Sequence, residues 1–164
     1  MLADVPIDIT PATLADVPLV LRFIKALAEY ERMTDQVVAT EESVRESLFG
    51  AHPSAEAAIA RVNGDPEGFA VWFYNYSTFL SRPGLYLEDL FVLPECRGRG
   101  VGRALLQHLA RVAVSRGCGR MEWAVLDWND LAIRFYRRLG AQPMSEWTVY
   151  RLTGDSLKRL AAES

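Results

Sequence analysis

Between residues 57 and 92 three strand-like segments follow one another, separated only by turn-length breaks. Residues 57–62 and 68–76 carry β-branched, aromatic and small apolar side chains, and Asn63-Gly64-Asp65-Pro66 lies between them. A second break, Ser81-Arg82-Pro83-Gly84, precedes a third segment, 85–92, which Pro94 ends. Neither break is long enough for a crossover helix, so the three strands are expected to run antiparallel as a meander. This requirement narrows the fold more than any other feature of the chain.

The remaining periodicity places helices around that meander. A short strand is expected at 7–10, stopped by Pro11, followed by a helix to about residue 32. Val17, Val20, Leu21, Ile24, Leu27 and Ala28 recur at helical spacing there and form one apolar face. The helix start has two readings. Thr13 and Asp16 match a capping box, which leaves Pro18 deep in the helix, whereas Asp16 as N-cap puts Pro18 in the first turn. Thr40 caps a second helix over 41–49, with Glu41 and Glu42 at its positive end and Gly50 at its stop. Later helices are expected at about 102–116 and at 130–139, ended by Gly117 and Gly140. Strands are expected at 121–126 and 147–152, and Asp155 is read as the cap of a short terminal helix. The later strand–helix–strand connections favour parallel pairs, so the sum is an α+β chain with a mixed sheet covered by helices.

Length and composition limit the rest. The chain has 164 residues, 50% of them hydrophobic and 24% charged, with a net charge of −3. That suits one domain over 1–164 and excludes a wholly disordered chain. No run approaches 18 apolar residues, so no membrane association is expected. The first residues, Met1-Leu2-Ala3-Asp4-Val5-Pro6, lack a basic and an apolar region, so a secretory leader is not expected either. Cys96 and Cys118 show neither metal nor disulfide spacing, which fits reduced thiols in the cytoplasm. The mild acidity favours no nucleic acid, though it allows a local basic site.

Such a site is present in Arg97-Gly98-Arg99-Gly100-Val101-Gly102-Arg103, between a predicted strand and a predicted helix. Alternating glycines let the backbone turn sharply and present consecutive N–H groups, and the following helix adds its positive end. Arg97, Arg99 and Arg103 bring charge to the same loop, so a phosphate or diphosphate is the ligand expected there. The loop lacks Gly-Lys-Ser/Thr, and its glycine spacing differs from that of dinucleotide-binding folds. An arginine-rich turn that is simply solvated is the plain alternative.

Together with Leu90-Phe91-Val92 before it, this loop resembles the acyl-CoA loop of the GNAT N-acetyltransferases, whose Arg/Gln-x-x-Gly-x-Gly/Ala pattern Arg97, Gly100 and Gly102 fill. The resemblance spans about residues 7–161 and is closest to the diamine (spermidine/spermine) and thialysine acetyltransferases. Tyr86-Leu87-Glu88-Asp89-Leu90-Phe91-Val92 resembles their central strand, and Ala28-Glu29-Tyr30-Glu31 the end of their first helix. Asp127-Trp128-Asn129, Phe135-Tyr136 and Gly140-Ala141 resemble their second motif. The resemblance implies an α/β/α layered fold with a mixed, mostly antiparallel sheet of about six to seven strands. It implies transfer of an acetyl group from acetyl-CoA to a small primary amine in a ternary complex, a homodimer, and no metal.

Residue roles follow from the same resemblance. The diphosphate of acetyl-CoA is expected on the amides of Gly98, Arg99, Gly100, Val101, Gly102 and Arg103, with Arg97 beside them. The pantetheine arm is expected along Leu90, Phe91 and Val92 like an added strand, where a backbone N–H polarises the thioester carbonyl. Asn129 is expected at that arm, Ala132 leaves room for it, and the Tyr136 phenol serves the departing thiolate. A core aromatic is the plain reading of Tyr136. Glu88 matches the acid that takes the amine proton. An alkylamine with a pKa of about 10.4 is almost wholly cationic at neutral pH, so a carboxylate both attracts it and deprotonates it. Tyr30, Glu31, Asp89 and Trp123 complete the expected substrate side, with residues 30–40 closing the pocket. Strand alternation puts Glu88 and Asp89 on opposite faces, and solvation or pairing with arginine is their plain reading.

Acceptor choice is narrower still. Ser77-Thr78-Phe79 lacks the acid found in the spermidine enzymes, and Glu146-Trp147-Thr148 replaces their acidic pair before Gly-Trp. A short diamine or a lysine- or thialysine-like amino acid is therefore favoured over a long polycation. Two alternatives stand beside it: acetylation of protein lysines or N-terminal amines, and an idle acyl-CoA-binding module. Cys96 adjoins arginines that lower a thiol pKa, but neither His52 nor His108 lies in a partnering motif, so no acyl-enzyme is expected.

Overall fold

The computed structural model describes residues 6–163; residues 1–5, part of the segment in which no leader is expected, lie outside the described part, as does Ser164. The chain divides into two compact units, Met1–Ala124 and Val125–Ser164.

The first unit is built on a five-stranded sheet in the order β1-β2-β3-β4-β5. Strands β1 (Ile7–Pro11), β2 (Glu56–Val62), β3 (Asp65–Ser77) and β4 (Arg82–Val92) pair antiparallel in sequence order. β5 (Arg120–Trp123) adds one parallel pair to β4. The meander expected from the short breaks is therefore present, within a sheet of five strands rather than six to seven. The first turn is tighter than its four turn-forming residues suggest. Asn63 and Gly64 both take positive φ (52° and 88°), the geometry of a two-residue hairpin that Asn-Gly favours. Asp65 and Pro66 thus belong to β3, where a bulge at Glu67 accommodates the proline.

Helix α1 (Val17–Tyr30) satisfies both readings of its start. Thr13 caps a single 3-10 turn, Leu14–Asp16, by donating its N–H and hydroxyl to Asp16 Oδ2 at 2.8 and 2.9 Å. The α-helix then begins at Val17, with Pro18 in its first turn. Arg61 reaches from β2 to Asp16 Oδ1 at 2.6 Å and fixes the turn to the sheet. Helix α2 (Glu41–Phe49) has the expected bounds, and Thr40 Oγ1 accepts the Ser43 N–H. Helix α3 (Val101–Ser115) follows the glycine loop.

The sheet is covered on both faces. On one, Val17, Val20, Leu21 and Phe23 of α1 and Val44 of α2 form a cluster with Ile59, Phe69 and Phe91. On the other, α3 brings His108 edge-on to Trp72 and buries Val101, Leu105 and Leu109.

The second unit holds α4 (Asp130–Arg138) and α5 (Gly154–Ala162). The cap of α5 is Thr153; Asp155 sits one step inside, in the first turn. Residues 147–152, expected as a strand, form none: Trp147 is 77% and Tyr150 93% exposed. A strand needs a neighbour for its ladder, and none of the described residues pairs with this segment. No helix is long and apolar enough to cross a membrane among the described residues.

Candidate active site

The site is organised by an irregularity in β4. Leu87 is opposite Trp72 and Asp89 is opposite Val71, so Glu88 is an extra residue without a partner in β3. Directly opposed residues share a face. Leu87 therefore lies with Trp72 on the α3 face, whereas Asp89 and Phe91 lie with Val71 and Phe69 on the α1 face. Tyr86, opposite Phe73 with ring centres 5.1 Å apart, is on the α1 face as well. The bulge thus shifts the alternation by one step, so that Leu87 and Asp89, two residues apart, lie on different faces.

Glu31 and Glu88 are both charge neighbours of Asp89. Glu88 is exposed and Asp89 partly buried. Burial pushes the Asp89 carboxyl up to about 6, and the charges of Glu88 and of Glu31 at the end of α1 push in the same direction. Burial also raises Glu31. Such a group attracts a cation and, once one arrives, holds proton-accepting oxygens beside it.

The edge of β4 opens at the same point. β5 pairs with it only over Gly84–Leu87, and Trp123 stands opposite Leu87 as the last paired residue. The strand expected at 121–126 stops here. From Glu88 to Val92, β4 has β3 on one side and no strand among the described residues on the other. Its outward backbone groups are a template for an extended ligand.

The loop after β4 has the backbone form expected of an anion cradle. Gly98 and Gly100 take φ of 75° and 88°, where a side chain is strained. Gly100 is the N-cap of α3, so Val101, Gly102 and Arg103 present first-turn amides without carbonyl partners inside the helix. The arginines behave differently from expectation. Arg97 folds back, donates Nε–H to Val92 O at 3.0 Å, and stacks its guanidinium over Tyr30 and Phe91 at 4.4 and 5.5 Å. Arg99 donates to Glu67 Oε1 at 2.8 Å. Arg103 is exposed on the first turn of α3. The three charges are not presented together.

Cys96 is buried, and burial raises its thiol pKa, with Glu67 and Glu95 adding to the rise. The Arg99 charge pulls the thiol the other way, but burial and the two acids outweigh it.

In the second unit, Asn129 caps α4, its Oδ1 accepting the Ala132 N–H at 3.2 Å. Tyr136 lies half-buried on that helix, its ring 5.4 Å from that of Phe135. The structure therefore brings Tyr30, Glu31, Glu88, Asp89, Arg97 and the glycine loop together in the first unit, while Asn129 and Tyr136 belong to the second. Glu67 escaped the sequence reading. Its importance comes from a bulge and a long-range partner, neither of which leaves a local signal.

Comparison with known proteins agrees with this geometry. The model of the acetyltransferase (GNAT) family matches residues 24–141. A thialysine N-epsilon-acetyltransferase of Bos taurus is 38% identical over 155 residues, covering 88% of this chain and 91% of that protein. An L-ornithine N5-acetyltransferase of Arabidopsis thaliana is 32% identical, over 91% of this chain and 85% of its own. Among solved structures, an integron cassette protein from the mobile metagenome of V. cholerae superposes with a TM-score of 0.79 at 28% identity, covering 96% of this chain and 98% of that one. With this coverage and identity, the chain belongs to the acetyltransferase (GNAT) family and is an amine N-acetyltransferase.

Proposed function

We propose that this enzyme moves the acetyl group of acetyl-CoA to the terminal amine of a short diamine or of a lysine-, thialysine- or ornithine-like amino acid. The observation that carries the reading is the unpaired edge of β4 from Glu88 to Val92, which has an acidic group at one end and the glycine loop at the other. Relatives acting on thialysine and ornithine support the acceptor class.

The residues fit an acyl-CoA. Positive-φ glycines and first-turn amides of α3 suit a diphosphate, with Arg103 as the nearby exposed cation. The open edge at Leu90, Phe91 and Val92 suits an amide-bearing arm, and one of its N–H groups serves as the donor to a developing oxyanion. Glu31, Glu88 and Asp89 draw in the ammonium group, and residues 30–40 cover it. Glu88 takes up the proton, directly or through water, as the amine nitrogen bonds to the acyl carbon and the carbon–sulfur bond breaks. Tyr136 is assigned the hydroxyl that donates to the departing sulfur, and Asn129 a contact to the arm, on family resemblance. Direct transfer is preferred because Cys96 is buried with a raised pKa. The whole chain, 1–164, acts as one catalytic domain. We further propose a cytoplasmic homodimer, for which the exposed Trp147, Val149 and Tyr150 supply apolar surface.

A thiol-release assay with thialysine, lysine, ornithine, 1,3-diaminopropane, putrescine, spermidine and a lysine peptide tests the reading. Turnover is expected to be best with the short acceptors, and Glu88→Gln and Tyr136→Phe are each expected to lower kcat at least tenfold. Preference for the peptide contradicts the acceptor class, and no thiol release with any amine contradicts catalysis of this kind.

A further inference from the structure

Glu67 is one of the most buried charged residues in the described chain, with 7% of its surface exposed. It is the extra residue of the bulge in β3: Ala60 is opposite Gly68 and Arg61 is opposite Pro66, leaving Glu67 without a partner in β2. It grips the glycine loop twice. Its backbone carbonyl accepts the Leu93 N–H at 2.9 Å, where the chain leaves β4. Its Oε1 accepts from Arg99 Nη2 at 2.8 Å, six residues further on. The other oxygen, Oε2, is buried and has no hydrogen-bond partner among the described residues. Next to it, Gly68 leaves no space for a side chain, since a Cβ there would lie 2.8 Å from Phe91 O. β3 and β4 thus meet tightly where the loop departs.

A buried carboxylate is costly unless it is paired and fixed. Here the pairing joins β3 to the loop after β4, where Glu67 also accepts a hydrogen bond from the Cys96 thiol, and it closes the segment from Leu93 to Arg99 like a bracket. Arg99 is half exposed, so its own burial does not require the partner. The pair also changes what Arg99 can do: a guanidinium held by a carboxylate adds little net charge for a phosphate.

We propose that Glu67 is a positioning residue for the acyl carrier: through Arg99 and Leu93 it holds the 97–103 backbone in its anion-binding form, and Arg99 acts as its strut rather than as a phosphate ligand. This rests on the reading that the loop binds acetyl-CoA, and the test separates the two. Amide hydrogen exchange of residues 97–103 in the free enzyme is measured alongside CoA affinity, the KM for acetyl-CoA and kcat, in wild type, Glu67→Ala, Glu67→Gln, Arg99→Gln and Glu67→Ala/Arg99→Gln.

Glu67→Ala is expected to speed loop exchange at least tenfold and to raise the CoA Kd and the acetyl-CoA KM about tenfold, with kcat at saturation within twofold. Glu67→Gln, which keeps an acceptor for Arg99, is expected to recover most of both losses. Arg99→Gln, at an exposed side chain that leaves the core intact, is expected to loosen the loop, and adding it to Glu67→Ala to cost little more. Unchanged loop exchange in Arg99→Gln or Glu67→Ala overturns the proposal whatever CoA does, as does an Arg99→Gln loss of CoA affinity that is undiminished in the Glu67→Ala background. Faster exchange with unaltered CoA affinity leaves the bracket standing and contradicts the carrier site itself.

Discussion

The guanidinium of Arg97 lies 4.4 Å from the centre of the Tyr30 ring while its Nε–H is donated to Val92 O. One side chain thereby joins the end of α1 to the end of β4. Phe91 completes the stack, its ring 6.3 Å from that of Tyr30. A cation–π contact of this kind contributes about 0.5–2 kcal/mol. Arg97→Ala is expected to raise the KM for both substrates, by roughly two- to thirtyfold on that scale. Arg97→Lys recovers little, because an ammonium group reproduces neither the planar stack nor the Nε–H bond. Steady-state kinetics with each substrate varied in turn checks this.

Asp89 makes stability depend on pH. Its carboxyl titrates near 6 in the folded chain because of burial and then the charges of Glu88 and Glu31, whereas in the unfolded chain it titrates near its usual 3.8. The folded state therefore binds the proton more tightly, and stability falls as pH rises from about 4 to about 6. Above that range the penalty is at most about 3 kcal/mol. Asp89→Asn removes the ionisation, so its advantage over wild type in urea unfolding is expected to grow from pH 5 to pH 8. An advantage that shrinks over this range contradicts the assignment.

The same shift affects the acceptor. A cationic amine favours the ionised Asp89, so its KM is expected to climb as pH drops below about 6. In Asp89→Asn that part of the pH profile is expected to flatten.

Two kinds of glycine substitution are expected to behave differently. Gly98→Ala and Gly100→Ala meet no close atoms but retain positive φ, which costs about 1 kcal/mol each. They are expected to weaken CoA binding several-fold and to lower the melting temperature by only a few degrees. Gly68→Ala runs into Phe91 O and is expected to lower the melting temperature markedly. Calorimetry and thermal melts on the same three variants compare the effects.

The exposed apolar residues of the second unit predict an oligomer. Sedimentation equilibrium is expected to give a dimer at micromolar concentration, and Val149→Glu with Tyr150→Asp is expected to shift it to monomer. A monomeric wild type contradicts the dimer.

Much of this was legible in the sequence because it depends on local chemistry. Thr40 and Gly50 delimit α2, Asn63-Gly64 forms the hairpin, and the positive φ values of Gly98 and Gly100 match a loop read from its glycines. Other features depend on partners far along the chain. The bulges that free Glu67 and Glu88 come from cross-strand register, which no single strand encodes. Arg97 and Arg99 look like free cations until Tyr30 and Glu67 arrive from other elements. β5 ends at Trp123, where its pairing with β4 stops, and residues 147–152 have a strand's composition without a neighbour among the described residues.

The unpaired β4 edge and the glycine loop are together proposed to hold the acyl carrier. A titration of isotope-labelled enzyme with CoA, followed through backbone amide resonances, tests this. The largest shifts are predicted at the amides of Leu90, Phe91 and Val92 and of Gly98, Gly100, Val101 and Gly102. Saturable binding that leaves these amides unmoved, or no binding at millimolar CoA, contradicts it.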